Sequence, residues 1–209
     1  MAGKGRWARL LTNASLLILV GTAVGCGSGR PPRVIPPPLD PFAVAAAAIA
    51  TADTDGDSEL GVGELRESPA IASVLVAADV NRDKKLTIAE LRSWLTAVRD
   101  SRVAITSCSC AVTQRGRPLK DVTVRLVPCS FMSRETMSAE GVTNAAGFAK
   151  LTISNSPYSG VHCGLYRVEI EGVGIDGKLV SSRYNTASTL GLAVGGTLPE
   201  HGRAVFAIE

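Results

Sequence analysis

Residues 53–65 read DTDGDSELGVGEL, and residues 79–91 read DVNRDKKLTIAEL. In both stretches aspartate or asparagine fills positions 1, 3 and 5, and glutamate fills position 12. Calcium is a hard cation that takes six to eight oxygen ligands, which alternate positions of one loop can supply. Two stretches in the same register favour a repeated calcium site over two solvated acidic turns.

This spacing resembles the calcium loops of the EF-hand family, in which positions 1, 3, 5, 7, 9 and 12 hold the ion. The resemblance implies an apolar residue at position 8, where paired loops form a short β-bridge; here these residues are Leu60 and Leu86. The implied ligands of the first loop are Asp53, Asp55, Asp57, Glu59 through its carbonyl, Gly61 through water, and Glu64. Those of the second are Asp79, Asn81, Asp83, Lys85 through its carbonyl, Thr87 and Glu90.

Both loops depart from the family at position 6, where glycine usually makes the turn and this chain has Ser58 and Lys84. A non-glycine residue at positive φ costs about 1 kcal/mol, so we expect weaker binding or poorer pre-ordering. In the second loop Asn81 replaces a carboxylate, and Arg82, Lys84 and Lys85 lie among the ligands. The first site is therefore expected to be the tighter one.

Two other interpretations stay open. The loops are separated only by residues 65–78, and this compact duplication is similar to that of dockerins, which bind cohesin domains. Dockerin loops usually end in aspartate, however, whereas these end in Glu64 and Glu90. Alternatively the loops are degenerate, bind no calcium, and belong to a purely structural envelope protein.

The segments around the loops have apolar residues at helical spacing. Helices are predicted from Pro41, from Ser68 as N-cap, and over residues 87–100. Residues 41–101 are therefore predicted to form an EF-hand pair, and their apolar stripes are predicted to be core.

The N-terminal residues 1–25 have the layout of a secretory signal peptide: Lys4, Arg6 and Arg9, then a short apolar run, then small residues. The AVGC sequence that ends at Cys26 resembles a bacterial lipobox, although Ala23 stands where leucine is usual. The resemblance implies that Cys26 is lipidated and anchors the protein to a membrane; the alternative is an ordinary cleavage site beside a chance cysteine. Residues 26–40 are rich in proline and are predicted to be an extended tether.

The net charge of the mature chain does not indicate a nucleic-acid partner. Of the 22 basic residues three precede Cys26, which leaves 19 basic and 19 acidic residues in the mature chain. A neutral chain gives no reason to expect nucleic-acid binding.

After residue 102 alternation replaces the helical period, and strands are predicted at 122–127, 147–153, 166–170 and 204–208. The sequences GRPLKDVTVRLVP, TNAAGFAKLTI and GLYRVEI resemble the transthyretin-like, carboxypeptidase-regulatory-like β-sandwich. The resemblance implies an antiparallel, Ig-like sandwich over residues 102–209. The expected fold class is thus α+β in separate domains, with the helical EF-hand pair preceding the sandwich.

No enzyme is predicted. Hydroxyisourate hydrolases share a transthyretin-like fold, but they use several histidines and a characteristic C-terminal tetrapeptide. This chain has only His162 and His201 and ends in VFAIE.

Lipidation of Cys26 would leave an even set of cysteines: Cys108, Cys110, Cys129 and Cys163. In an exported protein such a set predicts disulfides. Cys108 and Cys110 would share one face of a strand, which favours the pairs Cys108–Cys129 and Cys110–Cys163. The alternative is a soft-metal site in which His162 joins the thiols.

The sequence therefore predicts an exported lipoprotein at the periplasmic or outer face of the cell envelope. It would bind Ca²⁺ through the two loops and present the sandwich as an interaction module. An envelope protein or a glycan is a candidate partner.

Overall fold

The structure, a computed structural model, describes residues 34–195 and 203–209. The predicted signal peptide, Cys26, the first part of the tether and His201 lie outside the described residues. The rest of the tether, residues 34–40, has neither helix nor strand. Within the described part of the chain, none of the helices has both the length and the apolar character needed to cross a membrane.

Helices surround the two acidic loops. α1 (Pro41–Ala52) precedes the first loop and α2 (Val62–Glu67) follows it. α4 (Leu75–Ala78) precedes the second loop and α5 (Ile88–Asp100) follows it, while α3 (Pro69–Ala72) lies between α2 and α4. The helix predicted from residue 68 is thus two short helices, and the Ser68 side chain makes no capping hydrogen bond to α3.

The two long helices begin at strong capping signals. At α1 the Asp40 carboxylate accepts hydrogen bonds from the Phe42 and Ala43 amides, and Pro41 fills the first helical position. At α5 the Thr87 hydroxyl accepts from the Glu90 amide, and the Glu90 carboxylate accepts from the Thr87 amide. This reciprocal capping box ties the last ligand position of the second loop to the start of α5.

A two-stranded antiparallel ribbon joins the loops. β1 (Glu59–Leu60) pairs with β2 (Leu86–Thr87), with Leu60 opposite Leu86 and Glu59 opposite Thr87. Both leucines are fully buried. The ribbon confirms the expectation that the residues at position 8 of the loops pair.

Among the described residues after α5, eight strands form one curled, β-rich sheet. Its strands are β3 (Cys108–Gln114), β4 (Arg117–Pro118), β5 (Thr123–Pro128), β6 (Ala139–Val142), β7 (Phe148–Ile153), β8 (Gly164–Glu171), β9 (Leu190–Val194) and β10 (Arg203–Ile208). The order is β10-β3-β7-β6-β5-β8-β9, and β4 pairs with β3. A 3₁₀ turn, Ser182–Tyr184, precedes β9.

Each of the four predicted strands overlaps an observed one. All pairings are antiparallel except that of β10 with β3, which is parallel. The expectation of a wholly antiparallel arrangement is wrong at this pair. Alternation along a segment predicts a strand and its buried face, but it carries no information about the direction of the neighbouring strand.

Two apolar clusters organise the fold. The inner cluster contains residues of β10, β3, β5, β7 and β8, including Phe206, Val112 and Val168, so strands from distant parts of the sheet share one core. The helical cluster combines apolar residues of all five helices and the ribbon with Met132, Leu165 and Ala193 from the sheet region. β8 contributes to both, because Leu165 and Tyr166 point to opposite sides of the strand.

The helices pack directly against the sheet at Gly191 of β9. A Cβ atom at this position would overlap the backbone of Pro69 and Ala70 in α3, so the close approach requires glycine. The change from helix to strand falls between Asp100 and Cys108, which matches the predicted change near residue 102. Residues 34–209 form one compact unit.

Candidate metal centre

The first loop begins where α1 ends, and the Asp53 amide donates to the Ile49 carbonyl to close that helix. From there the chain turns so that Asp53, Asp55 and Asp57 face one another. One carboxylate oxygen from each lies within 4.8 Å of the other two, the single such group of three or more acidic, histidine or cysteine residues within the described residues. The structure therefore brings together three of the predicted ligands.

Backbone amides fix the orientation of these carboxylates. Asp53 accepts from the Gly56 amide at 2.7 Å through Oδ1 and from the Ser58 amide at 3.0 Å through Oδ2. Asp55 accepts from the Asp57 amide at 3.2 Å, and Asp57 from the Glu59 amide at 2.8 Å. Each of Asp55 and Asp57 thus uses one oxygen in the loop, and its second oxygen has no hydrogen bond within the loop.

Glu64 closes the first loop from α2. Its Oε1 accepts from the Thr54 amide at 2.6 Å and its Oε2 accepts from the Gly61 amide at 3.0 Å. The Thr54 hydroxyl donates to the same Oε1 at 3.1 Å. These amides, that of Thr54 first, lower the pKa of the Glu64 carboxyl because they stabilise its charged form.

The second loop repeats this network. Asp79 accepts from the Arg82 and Lys84 amides at 2.6 and 2.9 Å. Four further bonds of the first loop have equivalents here. The Asp83 amide donates to the Asn81 side chain and the Lys85 amide to the Asp83 side chain. The Val80 and Thr87 amides donate to the Glu90 carboxylate. Six of the seven backbone-to-side-chain bonds of the first loop therefore recur at equivalent positions of the second, and the exception is the 3.4 Å bond from the Asp55 amide to Oε1 of Glu64.

The backbone conformation repeats as well. At position 6, Ser58 and Lys84 have φ values of 67° and 65°, and at position 4, Gly56 and Arg82 have φ values of 79° and 63°. The expectation that non-glycine residues adopt positive φ at position 6 is confirmed. Both loops therefore share one backbone conformation at these two positions.

The loops differ in how many oxygens remain for a cation. In the second loop the Asn81 amide donates to Oδ2 of Asp83 at 2.8 Å, while Oδ1 of Asp83 accepts from the Lys85 amide. Both oxygens of Asp83 are thus engaged, whereas the equivalent Asp57 has its Oδ2 free of backbone contacts. The first loop therefore has one more carboxylate oxygen without a hydrogen bond inside its own loop than the second has at the equivalent position.

A contact between the loops was not predicted. The Lys85 ammonium lies 2.7 Å from Oε2 of Glu59 and 3.9 Å from Oδ2 of Asp57. The hydrogen bond and charge of Glu59 are the main reasons that the pKa of Lys85 is raised. The contact could have been inferred from the expected pairing of Leu60 with Leu86, because this register makes residues 59 and 85 diagonal neighbours.

The four cysteines within residues 34–195 are free thiols in the structure. Cys108 and Cys110 belong to the inner cluster, whereas Cys129 and Cys163 pack against the helical cluster. Each predicted pair would therefore join residues of different clusters, and the disulfides stay a prediction. Burial raises the pKa of Cys108 to about 11, of Cys110 to about 12 and of Cys129 to about 11.

The soft-metal alternative is not assembled in the described residues, because no group of three or more thiols or imidazoles has its ligand atoms within 4.8 Å. His162 is buried, and its Nδ1 accepts a hydrogen bond from the Met137 amide at 3.2 Å. Burial lowers the pKa of this imidazole. One ring nitrogen of His162 is therefore engaged in a structural contact.

Comparison with known proteins gives no relative: no family model matches the chain, and it has no significant match among curated proteins or solved structures.

Proposed function

We propose that the two loops bind one calcium ion each, as an EF-hand-like pair, in an exported lipid-anchored protein of the cell envelope. The observation that carries the proposal is the repeated network of six hydrogen bonds on the same ligand positions of both loops. Two acidic turns with unrelated roles would have no reason to share it.

The donor set suits a hard cation, because carboxylate and carbonyl oxygens are the ligands that calcium prefers. In the first loop the side chains that would hold the ion are Asp53, Asp55, Asp57 and Glu64, and the carbonyl of Glu59 would add a neutral ligand. In the second loop Asp79, Asn81, Asp83 and Glu90 would hold the ion with the Lys85 carbonyl.

Bound calcium would act on the packing of the helices. Asp53 follows the last residue of α1, and Glu64 lies in the first turn of α2. An ion held by both would fix these helices relative to each other, and α3 would transmit the constraint to β9 through its contact with Gly191. Calcium would therefore stabilise the helical cluster and its attachment to the sheet.

We propose that the sheet is an interaction module and that it is a transthyretin-like sandwich. It is supported by the sequence resemblance over residues 102–209 and by the mainly antiparallel strand order. The lipid on Cys26 would hold the module at a membrane, facing an envelope protein or a glycan. We propose no enzymatic activity and no nucleic-acid partner.

Isothermal calorimetry on residues 34–209 tests calcium binding. We compare the parent, the variant Asp53→Ala/Glu64→Ala, and the control variant Glu135→Ala/Glu171→Ala, which removes two exposed carboxylates from the β region. Saturable binding near or below about 1 mM that is lost or weakened in the first variant and kept in the control is expected. Equal heats in all three proteins would refute the proposal.

The alternative function is a structural envelope protein whose loops bind no calcium. It is favoured by one observation: the loops are already closed by their own hydrogen bonds, and the Lys85 ammonium already neutralises Glu59. Melting temperatures that do not change in millimolar calcium would support this alternative, since a ligand that binds only the folded state must raise its stability. Capture of a cohesin-type domain would instead support a dockerin-like role.

A further inference from the structure

The ribbon between the loops has two unlike faces. Its buried face is formed by Leu60 and Leu86, each fully excluded from solvent. Side chains alternate along a strand, so Glu59 and Lys85 both point to the opposite, exposed face. The register makes these two residues diagonal neighbours across the strands, within reach of a long side chain.

The Lys85 ammonium uses this position to reach into the first loop. It lies 2.7 Å from Oε2 of Glu59, and 3.9 Å from Oδ2 of Asp57, the oxygen that the loop leaves without a backbone donor. The side chains of Lys85, Glu59 and Asp57 are 45%, 38% and 48% exposed, so the contact is partly screened by water. One loop thus supplies a positive charge to the ligands of the other.

We propose that Lys85 sets the calcium affinity of the first loop, acting as a tethered cation that competes with the ion for Asp57 and reduces the negative charge around the site. This inference rests on the proposed calcium binding. Lys85 therefore has two roles: its carbonyl is a ligand of the second loop, and its ammonium weakens the first.

The expected size of the effect follows from the exposure of the group. Partly exposed ion pairs contribute little free energy, and salt screens the charge of the ammonium. Removing the ammonium should therefore tighten the first site by about two- to fivefold at low ionic strength. The gain should shrink at about 0.5 M salt, where the Debye length is only on the order of a few ångströms.

The test is a calcium titration of ¹⁵N-labelled residues 34–209 followed by NMR, because each loop then reports on itself. The Gly61 amide reports the first loop and the Thr87 amide reports the second, since each donates to the glutamate at position 12 of its own loop. We compare the parent with Lys85→Met, Lys85→Arg and Lys84→Met. Lys84→Met is the control, because Lys84 has the same charge at the preceding position and forms no ion pair among the described residues.

We expect Lys85→Met to lower the dissociation constant at Gly61 by about two- to fivefold, Lys85→Arg to leave it within about twofold, and Lys84→Met to change it less than Lys85→Met does. An unchanged or higher dissociation constant in Lys85→Met would overturn the inference while leaving the calcium proposal intact. An equal gain in Lys84→Met would also overturn it, because net charge would then explain the result. Absence of calcium-dependent shifts in every protein, the parent included, would refute the proposed function and the inference with it.

Discussion

Leu60 and Leu86 lie opposite each other in the ribbon that joins the two acidic loops, and both side chains are fully buried in the helical cluster. Each leucine lies at position 8 of its loop. The residue that follows it, Gly61 or Thr87, donates its amide to the glutamate at position 12 of the same loop. The packing of the helices and the geometry of the two candidate sites therefore depend on the same pair of side chains.

Replacement of Leu60 by alanine should lower the free energy of unfolding by about 2 to 5 kcal/mol, because a buried leucine loses its contacts and leaves a cavity. Urea denaturation of residues 34–209 measures the change. The control is Val76→Ala, since Val76 is 84% exposed in α4 and its truncation should be nearly neutral. Equal losses in the two variants would contradict the role of the ribbon in the core.

Replacement of Ser58 by glycine should raise the free energy of unfolding by about 0.5 to 1 kcal/mol, because serine is strained at a φ of 67°. Glycine at this position should also tighten calcium binding, because the missing glycine is expected to weaken binding or pre-ordering of the loop. Thermal denaturation and a calcium titration of the same variant measure the two quantities.

The matched control for that change is Ser73→Gly, because Ser73 has a φ of −65° in the ordinary right-handed region. Glycine there relieves no strain and adds freedom to the unfolded chain, so stability should fall. A loss of stability in Ser58→Gly as large as that in Ser73→Gly would show that position 6 is not strained.

Replacement of Gly191 by alanine should lower stability by about 1 to 3 kcal/mol, because the added methyl group overlaps the backbone of α3. Differential scanning calorimetry measures the shift. Gly63→Ala is the control: the added Cβ atom at that helical position meets nothing within 4 Å. If both variants melt at the parent temperature, the close packing of α3 on β9 is not present in solution.

The buried thiols predict a dependence of stability on alkaline pH in the reduced protein. Burial raises the pKa of Cys108 to about 11 and of Cys110 to about 12, whereas an unfolded cysteine titrates near about 8.5. Because the folded values are the higher ones, the neutral thiols stabilise the fold fully below about pH 8.5, and this contribution is lost as the pH rises through the folded values.

Urea midpoints at pH 7.5 and pH 10 under a reductant measure this effect. The parent should lose more stability between the two pH values than Cys108→Ala/Cys110→Ala, by up to about 4 kcal/mol for the two thiols together. The comparison cancels the lysine and tyrosine titrations common to both proteins. An identical pH dependence in the two proteins would mean that these thiols are not buried.

The sequence predicts the loops well because their ligands, turns and hydrogen bonds lie within twelve residues of one another. The spacing of Asp53, Asp55 and Asp57 was sufficient to predict that these side chains gather, and the positive φ at Ser58 followed from its position. Four of the eight strands of the sheet, β5, β7, β8 and β10, were also predicted, since alternation is a local signal, whereas the short strands β4 and β6 were not.

Features that depend on distant residues were not predicted. The parallel pairing of β10 with β3 joins segments about ninety residues apart, and nothing in either segment specifies the direction. Gly191 was not recognised as a contact point, because its neighbour α3 lies more than one hundred residues away in the chain. The contact of Lys85 with Glu59 required both the register of the ribbon and the reach of the lysine.

The two-sided use of β8 has a consequence for the way the molecule unfolds. Leu165 belongs to the helical cluster and the adjacent Tyr166 to the inner cluster, so loss of this strand removes residues from both. Neither cluster can melt without exposing side chains of the other. Helices and sheet should therefore denature in a single cooperative transition, with far-ultraviolet signals from helix and near-ultraviolet signals from tyrosine changing together.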